Sequence, residues 1–292
     1  MKDTTFESYS TEIRRHVVPT LGRVKLKNLN AAHLQGLYRA KLDEGLSPRT
    51  VDYLHDLVKQ ALKQARRWGL VAQNVAEAVD PPRQHRKEMK CLSHEQARLL
   101  LDTARGDRFE ALYVLAVTTG LRQGELLGLK WEDMDLEAKS LSVRRTLSAA
   151  KEGPIFTTPK SPKSRRKVTL TEGAVEVLKR HRQRQLEESK MVGAKWQDNG
   201  LVFCSVVGTP MSRHNLHNRS FKPLLERAGL PDIRFHDLRH TCATLLFKKG
   251  KHPKVVQELL GHATVSITLD TYSHVLPGMD GEAAAGMEDL FS

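Results

Sequence analysis

The sequence His236-Asp237-Leu238-Arg239-His240-Thr241 lies within residues 213–275, where the spacing of the apolar residues predicts helices. Residues three and four apart share one face of a helix, so His236, Arg239 and His240 are expected to point the same way. A histidine and an arginine on one face suit proton transfer beside a phosphate whose charge is neutralised. A metal site is the weaker interpretation, because no carboxylate or cysteine completes a ligand set and an arginine repels a cation. Taken alone, a structural histidine explains this stretch more simply.

Two short sequences follow toward the C-terminus. In Glu258-Leu259-Leu260-Gly261-His262, the glycine is typical of a helix end and leaves His262 just beyond it. Ten residues after His262 comes Tyr272, in Thr271-Tyr272-Ser273-His274. Taken alone, a tyrosine at this position is most simply a surface or core residue of an amphipathic helix.

A fourth sequence, Thr119-Gly120-Leu121-Arg122-Gln123-Gly124-Glu125-Leu126, lies far upstream. Arg122 follows a glycine that is expected to end a helix, and Glu125 lies three residues further on. An arginine at such a break can direct its guanidinium at a phosphate while the carboxylate holds it in place. An ordinary Arg–Glu pair on a helix surface is the simpler explanation when this stretch is taken alone.

The composition of the 292-residue chain favours a polyanionic partner. Its 47 Lys and Arg residues outnumber 34 Asp and Glu residues, for a formal net charge of +13. Both halves of the chain are basic, so no single charged tail explains the excess, and nucleic acid is the expected partner. Three distant cysteines argue against a disulfide framework and a cysteine zinc site, and fit a reducing cytoplasm. Apolar runs are too short for a membrane span, and no secretory signal begins the chain.

The patterning predicts a mainly α chain with a small antiparallel β-sheet. Residues 1–82 are predicted to form a helical domain, residues 83–91 a basic linker that follows Pro81-Pro82, and residues 92–292 a second, mixed α/β domain. Helices are expected near residues 3–18, 31–45, 48–68, 74–79, 94–104, 107–119 and 171–190. Strands are expected at residues 141–146, 165–170 and 201–204.

The four stretches, taken together and in their order along the chain, resemble the tyrosine recombinase (phage integrase) family, of the mobile-element type. The chain matches the family's Thr-Gly-x-Arg-x-x-Glu box, its His-x-x-Arg box, its Leu-Gly-His box and its Thr-Tyr nucleophile box. The resemblance covers essentially the whole chain. It implies a helical, SAM-like core-binding domain followed by the catalytic domain of a tyrosine recombinase.

The resemblance implies a site-specific DNA recombinase that cleaves and rejoins strands through a covalent 3′-phosphotyrosine intermediate, without a metal or nucleotide cofactor. Tyr272 would be the nucleophile, and Arg122 and Arg239 would bind the non-bridging phosphate oxygens. His236 would assist proton transfer from Tyr272, and His262 would donate a hydrogen bond to a phosphate oxygen. Glu125 would orient Arg122. Lys160 would be the general acid, with Lys163 as the alternative.

The implied partners are double-stranded DNA recombination sites, a homo-tetramer on two duplexes, and accessory DNA-bending or directionality factors. Expected contacts to DNA are Lys59, Lys63, Arg66, Arg67, Lys163, Arg165 and Arg166. Residues 276–292, with Leu290 and Phe291, are interpreted either as a tail that docks on a neighbouring protomer or as a frayed terminus. The expected location is the cytoplasm of a bacterial or archaeal cell, in association with the nucleoid.

Three alternatives remain open at this point. They are a type IB topoisomerase, a Xer-like chromosome or plasmid dimer resolvase, and a DNA-binding protein without catalysis. The intact Tyr272, Arg122 and Arg239 argue against the last of these. Many integrases of mobile elements carry a further N-terminal arm-binding domain, whereas the first residues here already resemble the core-binding domain.

Overall fold

A computed structural model of the protein describes residues 3–83, 89–150, 153–158 and 165–273. The chain divides into two compact units, Met1–Glu88 and Met89–Ser292. The division falls inside residues 83–91, the segment for which the sequence predicts a linker.

The first unit is helical in its described part. Helix α1 (Asp3–Glu12) continues through a wider π-helical turn at Ile13–Val17 into α2 (Val18–Leu21), and α3 (Ala31–Asp43) and α4 (Pro48–Arg67) follow. Short 3-10 turns lie at Leu26–Asn28 and Val75–Ala78. The core of this unit consists of apolar residues from α3, from α4 and from the last 3-10 turn and the residue after it. They are Leu34, Leu37, Tyr38, Val51, Val58, Leu62, Ala76 and Val79.

The sequence predicts the limits of α4 because both ends carry local signals. The Ser47 hydroxyl accepts a hydrogen bond from the amide of Thr50, and Pro48 occupies the first helical position. At the other end, Gly69 has a φ of +72° and takes the left-handed conformation that follows a helix. The predicted helix at residues 48–68 is therefore confirmed.

The second unit is mostly helical. Its described α-helices are α5 (His94–Thr103), α6 (Glu110–Thr119), α7 (Gln123–Leu127), α8 (Glu172–Val192), α9 (Arg213–Leu216), α10 (Lys222–Arg227), α11 (Asp237–Lys248), α12 (Pro253–Leu260) and α13 (Val265–Tyr272). A π-helical turn, His217–Phe221, joins α9 to α10, and 3-10 turns lie at Trp131–Asp133 and Gly193–Lys195. Among the residues that the structure describes, no helix is both long and apolar enough to cross a membrane.

The strands form two separate antiparallel sheets. The first has the order β1 (Met134–Asp135), β2 (Ser140–Val143) and β5 (Arg166–Thr169), with Leu141 opposite Val168. The second is a hairpin of β3 (Thr146–Ala150) and β4 (Gly153–Thr157). The small antiparallel sheet that the sequence predicts is present, but the hairpin was not predicted.

Two strand predictions need correction. The single strand expected at residues 141–146 is interrupted after Val143, where Arg145 turns aside and binds Glu132 and Asp133 through its guanidinium. The chain then enters the other sheet as β3. The strand expected at residues 201–204 is reduced to two isolated bridges, Lys130 with Leu201 and Cys204 with Pro210.

Helix α6 is the centre of the second unit. It is apolar on all sides, as expected of a helix that is enclosed by others, and it packs against α8 and α11. Its fully buried side chains include Leu112, Tyr113 and Leu115. Because α6 is fixed in the core, the residues that follow its last turn are fixed with it, and these begin the first of the four boxes.

Candidate active site

Arg122 is placed by the end of α6. Gly120 ends this helix with a φ of +61°, and Arg122 then caps the start of α7 in an extended conformation. The Arg122 backbone amide donates to Oε2 of Glu125 at 3.1 Å, and its Nη1 donates to Oε1 of the same carboxylate at 2.8 Å. The contact that the sequence predicts between these residues is present. The Arg122 side chain is 37% exposed, so part of its guanidinium remains open to a ligand.

Arg239 is buried and held by two helix ends. Its Nη1 donates to the carbonyl of Gly120 at 2.7 Å, and its Nη2 donates to the carbonyl of Leu260 at 2.8 Å. These carbonyls lie at the C-terminal ends of α6 and α12, where the helix dipoles are negative and stabilise a cation. Burial, followed by repulsion from Arg122, lowers the pKa of Arg239 to about 9. The guanidinium is therefore a cation at neutral pH.

His262 follows the end of α12. Gly261 ends this helix with a φ of +67°, and His262 Nδ1 lies 2.8 Å from the hydroxyl of Thr268. The side-chain amide of Gln257 donates to the His262 carbonyl. Burial, with repulsion from Arg239 and Arg122, lowers the pKa of His262 to about 4. The imidazole is therefore neutral at pH 7.

Tyr272 is the last residue of α13, and its side chain is fully buried. Its ring packs against Phe247, with the ring centres 5.8 Å apart, in a small apolar cluster that also contains Val256 and Leu260. Its hydroxyl lies 2.7 Å from Nδ1 of His240. Burial raises the pKa of Tyr272 well above its ordinary value. The phenol is thus held in its protonated form.

The side chain in contact with the Tyr272 hydroxyl is His240, whereas the resemblance assigns that role to His236. The two imidazoles are adjacent, with ring centres 5.1 Å apart and planes nearly perpendicular. Burial, then repulsion from His236, lowers the pKa of His240 to about 4, so its ring is neutral at pH 7. Burial and Arg239 also lower the pKa of His236. The i, i+4 spacing placed His240 on this face, but the sequence analysis assigned it no role.

Arg166 is turned into the protein. Its Nη2 donates to Oε2 of Glu125 at 3.0 Å, and its Nε donates to the carbonyl of Leu259 at 2.7 Å. Burial opposes ionisation of Glu125, but Arg166 and Arg122 outweigh it and keep the pKa of this carboxyl below its ordinary value. The sequence analysis predicted Arg166 as a DNA contact. The Arg166 side chain is only 8% exposed and binds groups of the protein itself, and its contact with DNA stays a prediction.

The other predicted residues are more scattered. Four of the predicted DNA contacts are exposed side chains on α4 in the first unit, Lys59, Lys63, Arg66 and Arg67, and Arg165 is exposed beside β5 in the second. Lys160, Lys163 and the segment 276–292 lie outside the described residues. In the described part of the chain, no group of three or more His, Cys, Asp or Glu side chains is placed to hold a metal ion.

Comparison with known families bears directly on this site. The model of the phage integrase family matches residues 90–278, which include all four boxes, and that of the phage integrase N-terminal SAM-like domain matches residues 1–42. The chain belongs to the phage integrase family. As the sequence predicted, the protein is an enzyme, a site-specific recombinase of the tyrosine type.

Similar proteins come from several bacteria. A tyrosine recombinase described as XerC-like, from Caldanaerobacter subterraneus subsp. tengcongensis, is 34% identical over 99% of this chain and 79% of its own length. The ICEBs1 integrase of Bacillus subtilis is 25% identical over 99% of this chain and 78% of its own length.

Solved structures share the fold of this protein. The Tn1549 transposon integrase in complex with transposon right end DNA has a TM-score of 0.82 and 22% identity, over all of this chain and 95% of that one. A lambda integrase dimer bound to a COC′ core site has a TM-score of 0.65 and 21% identity, over 91% of this chain and 90% of that one. These similarities confirm the predicted fold class.

Proposed function

We propose that this protein integrates or excises a mobile element by cutting and rejoining double-stranded DNA through a covalent 3′-phosphotyrosine on Tyr272. The observation that carries the proposal is the convergence of two guanidinium groups on one turn. Arg239 donates to the carbonyl of Leu260, Arg122 Nη2 lies 3.5 Å from the carbonyl of Gly261, and His262 follows directly. Three donors suited to a phosphate are thus gathered around three consecutive residues.

In this proposal, the two arginines bind the non-bridging oxygens of the scissile phosphate. Negative charge grows on these oxygens as the phosphorus becomes five-coordinate, and cations fixed in advance stabilise it without having to reorganise. Arginine suits this role because its guanidinium keeps its charge and presents a planar fork of donors. His262 would donate from Nε2, because its Nδ1 is engaged by Thr268.

The nucleophile needs a proton acceptor. When the Tyr272 oxygen bonds to phosphorus, the bond to the 5′ oxygen breaks, and the phenol loses its proton. We assign this proton first to His240, whose Nδ1 is within hydrogen-bond distance, with His236 as its neighbour. Since Tyr272 is fully buried, α13 has to shift before a phosphate can reach its hydroxyl.

The leaving 5′ oxygen needs a proton donor. Lys160 is proposed as this general acid, with Lys163 as the alternative, and both lie outside the described residues. Lys160→Ala is expected to slow cleavage far more than Lys163→Ala, by roughly a hundredfold or more. The opposite ranking, measured as single-turnover formation of the covalent complex, would transfer the role to Lys163.

Covalent capture tests the proposed function directly. Wild type and Tyr272→Phe are incubated with a fragmented genomic DNA library, washed under denaturing conditions, and the retained DNA is sequenced. We expect capture by wild type alone, at a few mapped sequences, while both proteins retain DNA under native conditions. Equal capture by the phenylalanine variant would remove Tyr272 as the nucleophile, and native binding without capture by either would favour a DNA-binding protein without catalysis.

The mapped sequences also decide between a mobile-element integrase and a Xer-like dimer resolvase. The XerC-like description of one relative favours the resolvase, whereas the ICEBs1 and Tn1549 integrases favour a mobile element. Captured sites at the ends of an integrated element would support integration or excision. A single site in the replication terminus would support dimer resolution.

The assembly is proposed to be a homo-tetramer on two duplexes. The support is fold similarity to a lambda integrase tetramer bound to a Holliday junction, at a TM-score of 0.64 and 20% identity over 91% of this chain and 73% of that one. Light scattering of the protein with a captured duplex measures the stoichiometry. The cytoplasmic location with nucleoid association, and the accessory bending or directionality factors, are proposals that follow from DNA as the substrate.

A further inference from the structure

We infer that Arg166 is a positioning residue of the recombination reaction, which holds Glu125 and the turn after α12 so that Arg122 and His262 face the same phosphate. This inference rests on the proposed function. It concerns a residue outside the four boxes, at the first position of β5.

The contacts of Arg166 connect two parts of the site that are far apart in sequence. Its Nε donates to the carbonyl of Leu259 at 2.7 Å, in the last turn of α12. Its Nη2 donates to Oε2 of Glu125 at 3.0 Å, and Nη1 lies 3.4 Å from Oε1. One side chain therefore binds both the carboxylate that orients Arg122 and the turn that presents His262.

The burial of this pair makes the contact specific. The side chain of Glu125 is 2% exposed and that of Arg166 is 8% exposed, so the ion pair is removed from water. Removal of one partner from a buried pair leaves the other charge uncompensated, which is strongly unfavourable. Without Arg166, Glu125 would have to shift toward Arg122 or toward solvent, and either movement would displace the Arg122 guanidinium.

The turn is packed directly against the guanidinium. A Cβ atom added at Gly261 would lie 2.8 Å from Nη1 and 3.1 Å from Cζ of Arg166. Lysine has a single ammonium and no planar fork, so it cannot contact the carbonyl and the carboxylate in the same way. Arginine is required here for its shape as well as its charge.

The alternative is that Arg166 binds a DNA phosphate directly, as the sequence analysis predicted. Its geometry argues against this role, because Nε and Nη2 are already committed to protein acceptors and the guanidinium is nearly inaccessible. A direct phosphate contact and a positioning role have different kinetic signatures. Loss of a contact weakens DNA binding, whereas loss of positioning lowers the rate on bound DNA.

The test uses the full-length chain and a duplex recovered by wild-type capture. Arg166→Gln, Arg166→Lys, Glu125→Gln and the double variant Glu125→Gln/Arg166→Gln are compared in single-turnover formation of the covalent complex across a range of DNA concentrations. Arg98→Gln, which alters an exposed arginine on α5, is the inert control. Arg165→Gln, an exposed neighbour, is the contrast for a direct DNA contact.

For Arg166→Gln we expect the rate at saturating DNA to fall by about ten- to a hundredfold, because small misplacements of reacting groups cost that much. The half-saturating DNA concentration should change by less than about twofold, and Arg166→Lys should recover part of the rate. In the double variant the two losses should combine to less than their product, since part of the effect of Arg166 passes through Glu125 and the rest through the Leu259 carbonyl. Arg165→Gln should raise the half-saturating concentration instead.

Several outcomes would overturn the inference. They are an unchanged saturating rate for Arg166→Gln, a raised half-saturating concentration with a normal saturating rate, or losses in the double variant that multiply fully, as for independent residues. An NMR comparison of the His262 imidazole signals in the DNA-free protein provides a readout independent of cleavage. These signals should shift in Arg166→Gln and not in Arg98→Gln. If wild type forms no covalent complex, the proposed function fails, and unchanged His262 signals would separately reject the positioning role.

Discussion

The hydroxyl of Tyr272 and the imidazole of His240 form a polar pair at the edge of an apolar cluster. The phenol is completely removed from solvent, and Nδ1 of His240 at 2.7 Å is the hydrogen-bond partner of its hydroxyl in the described part of the chain. A buried hydroxyl that loses its partner keeps the full cost of its desolvation. The stability of the protein should therefore depend on this pair as a unit.

His240→Leu is expected to lower the free energy of unfolding by about 1–3 kcal/mol, because it leaves the Tyr272 hydroxyl without an acceptor. In a Tyr272→Phe background, where no hydroxyl remains, the same substitution should cost less than about 1 kcal/mol. Urea unfolding of the four proteins, followed by circular dichroism, measures this difference. Equal costs in both backgrounds would show that the hydrogen bond contributes nothing to stability.

Gly261 is constrained twice, by its backbone and by its neighbours. Its φ of +67° is costly for any residue with a side chain, and an added Cβ would meet the Arg166 guanidinium. Gly261→Ala should therefore destabilise the protein by about 1–3 kcal/mol and slow covalent capture. In contrast, a Cβ atom added at Gly36, on α3, would have no described atom within 4 Å apart from its chain neighbours and the backbone of α3 itself. Gly36→Ala should therefore stabilise the protein by about 0.5–1 kcal/mol. A neutral result for Gly261→Ala in urea unfolding would contradict this account.

Most of the functional side chains of the site lie at or next to the ends of helices. Arg122 follows the end of α6, His262 follows the end of α12, His236 precedes α11, and Tyr272 ends α13. Helix ends leave backbone groups unpaired, and here the carbonyls of Gly120 and Leu260 are satisfied by Arg239. The same contacts that complete two helices therefore position the guanidinium.

The start of α4 offers a test of capping in the first unit. Ser47→Ala removes the acceptor for the Thr50 amide and should lower the local stability of α4 by about 1 kcal/mol, whereas Ser47→Asp should retain most of it. Hydrogen–deuterium exchange over peptides from residues 48–67 measures the loss separately from the second unit. Identical exchange in the alanine variant and wild type would mean that Pro48 alone is sufficient to start the helix.

At the scale of the whole molecule, part of the charge of +13 lies at the site, where Arg122 and Arg166 bind one carboxylate, Glu125, and Arg239 adds a third cation nearby. This excess of cations contributes, after burial, to the low pKa values of the neighbouring histidines. The same excess is what a dianionic transition state at phosphorus would neutralise. The site is thus electrostatically unbalanced when DNA is absent.

Stability should fall as the pH is lowered from about 7 to about 4. His240 and His262 have pKa values of about 4 in the folded protein, against about 6.5 in the unfolded chain, so the unfolded chain binds protons that the folded one does not. Below this range, protonation of Glu125, whose pKa is lowered, removes further stability. Urea unfolding at pH 7, 6 and 5 measures the slope, which should be shallower in the double variant His240→Gln/His262→Gln. A flat profile for wild type would contradict these pKa directions.

The sequence by itself determined most helices of both units and the four boxes, because these depend on local signals; α7 was not predicted, and the helix expected at residues 74–79 is a short 3-10 turn. Ser47 and Pro48 start α4, Gly120 and Gly261 end helices, and the apolar spacing shows which face of each helix is buried. Only the tertiary structure decided what each face is buried against. His240 rather than His236 contacts Tyr272, and Arg166 faces Glu125, 41 residues away, and Leu259, 93 residues away, rather than solvent. The spacing of apolar residues shows which face of one helix or strand is buried. The residue that this face contacts depends on how elements distant in sequence pack together, and no local pattern contains that information.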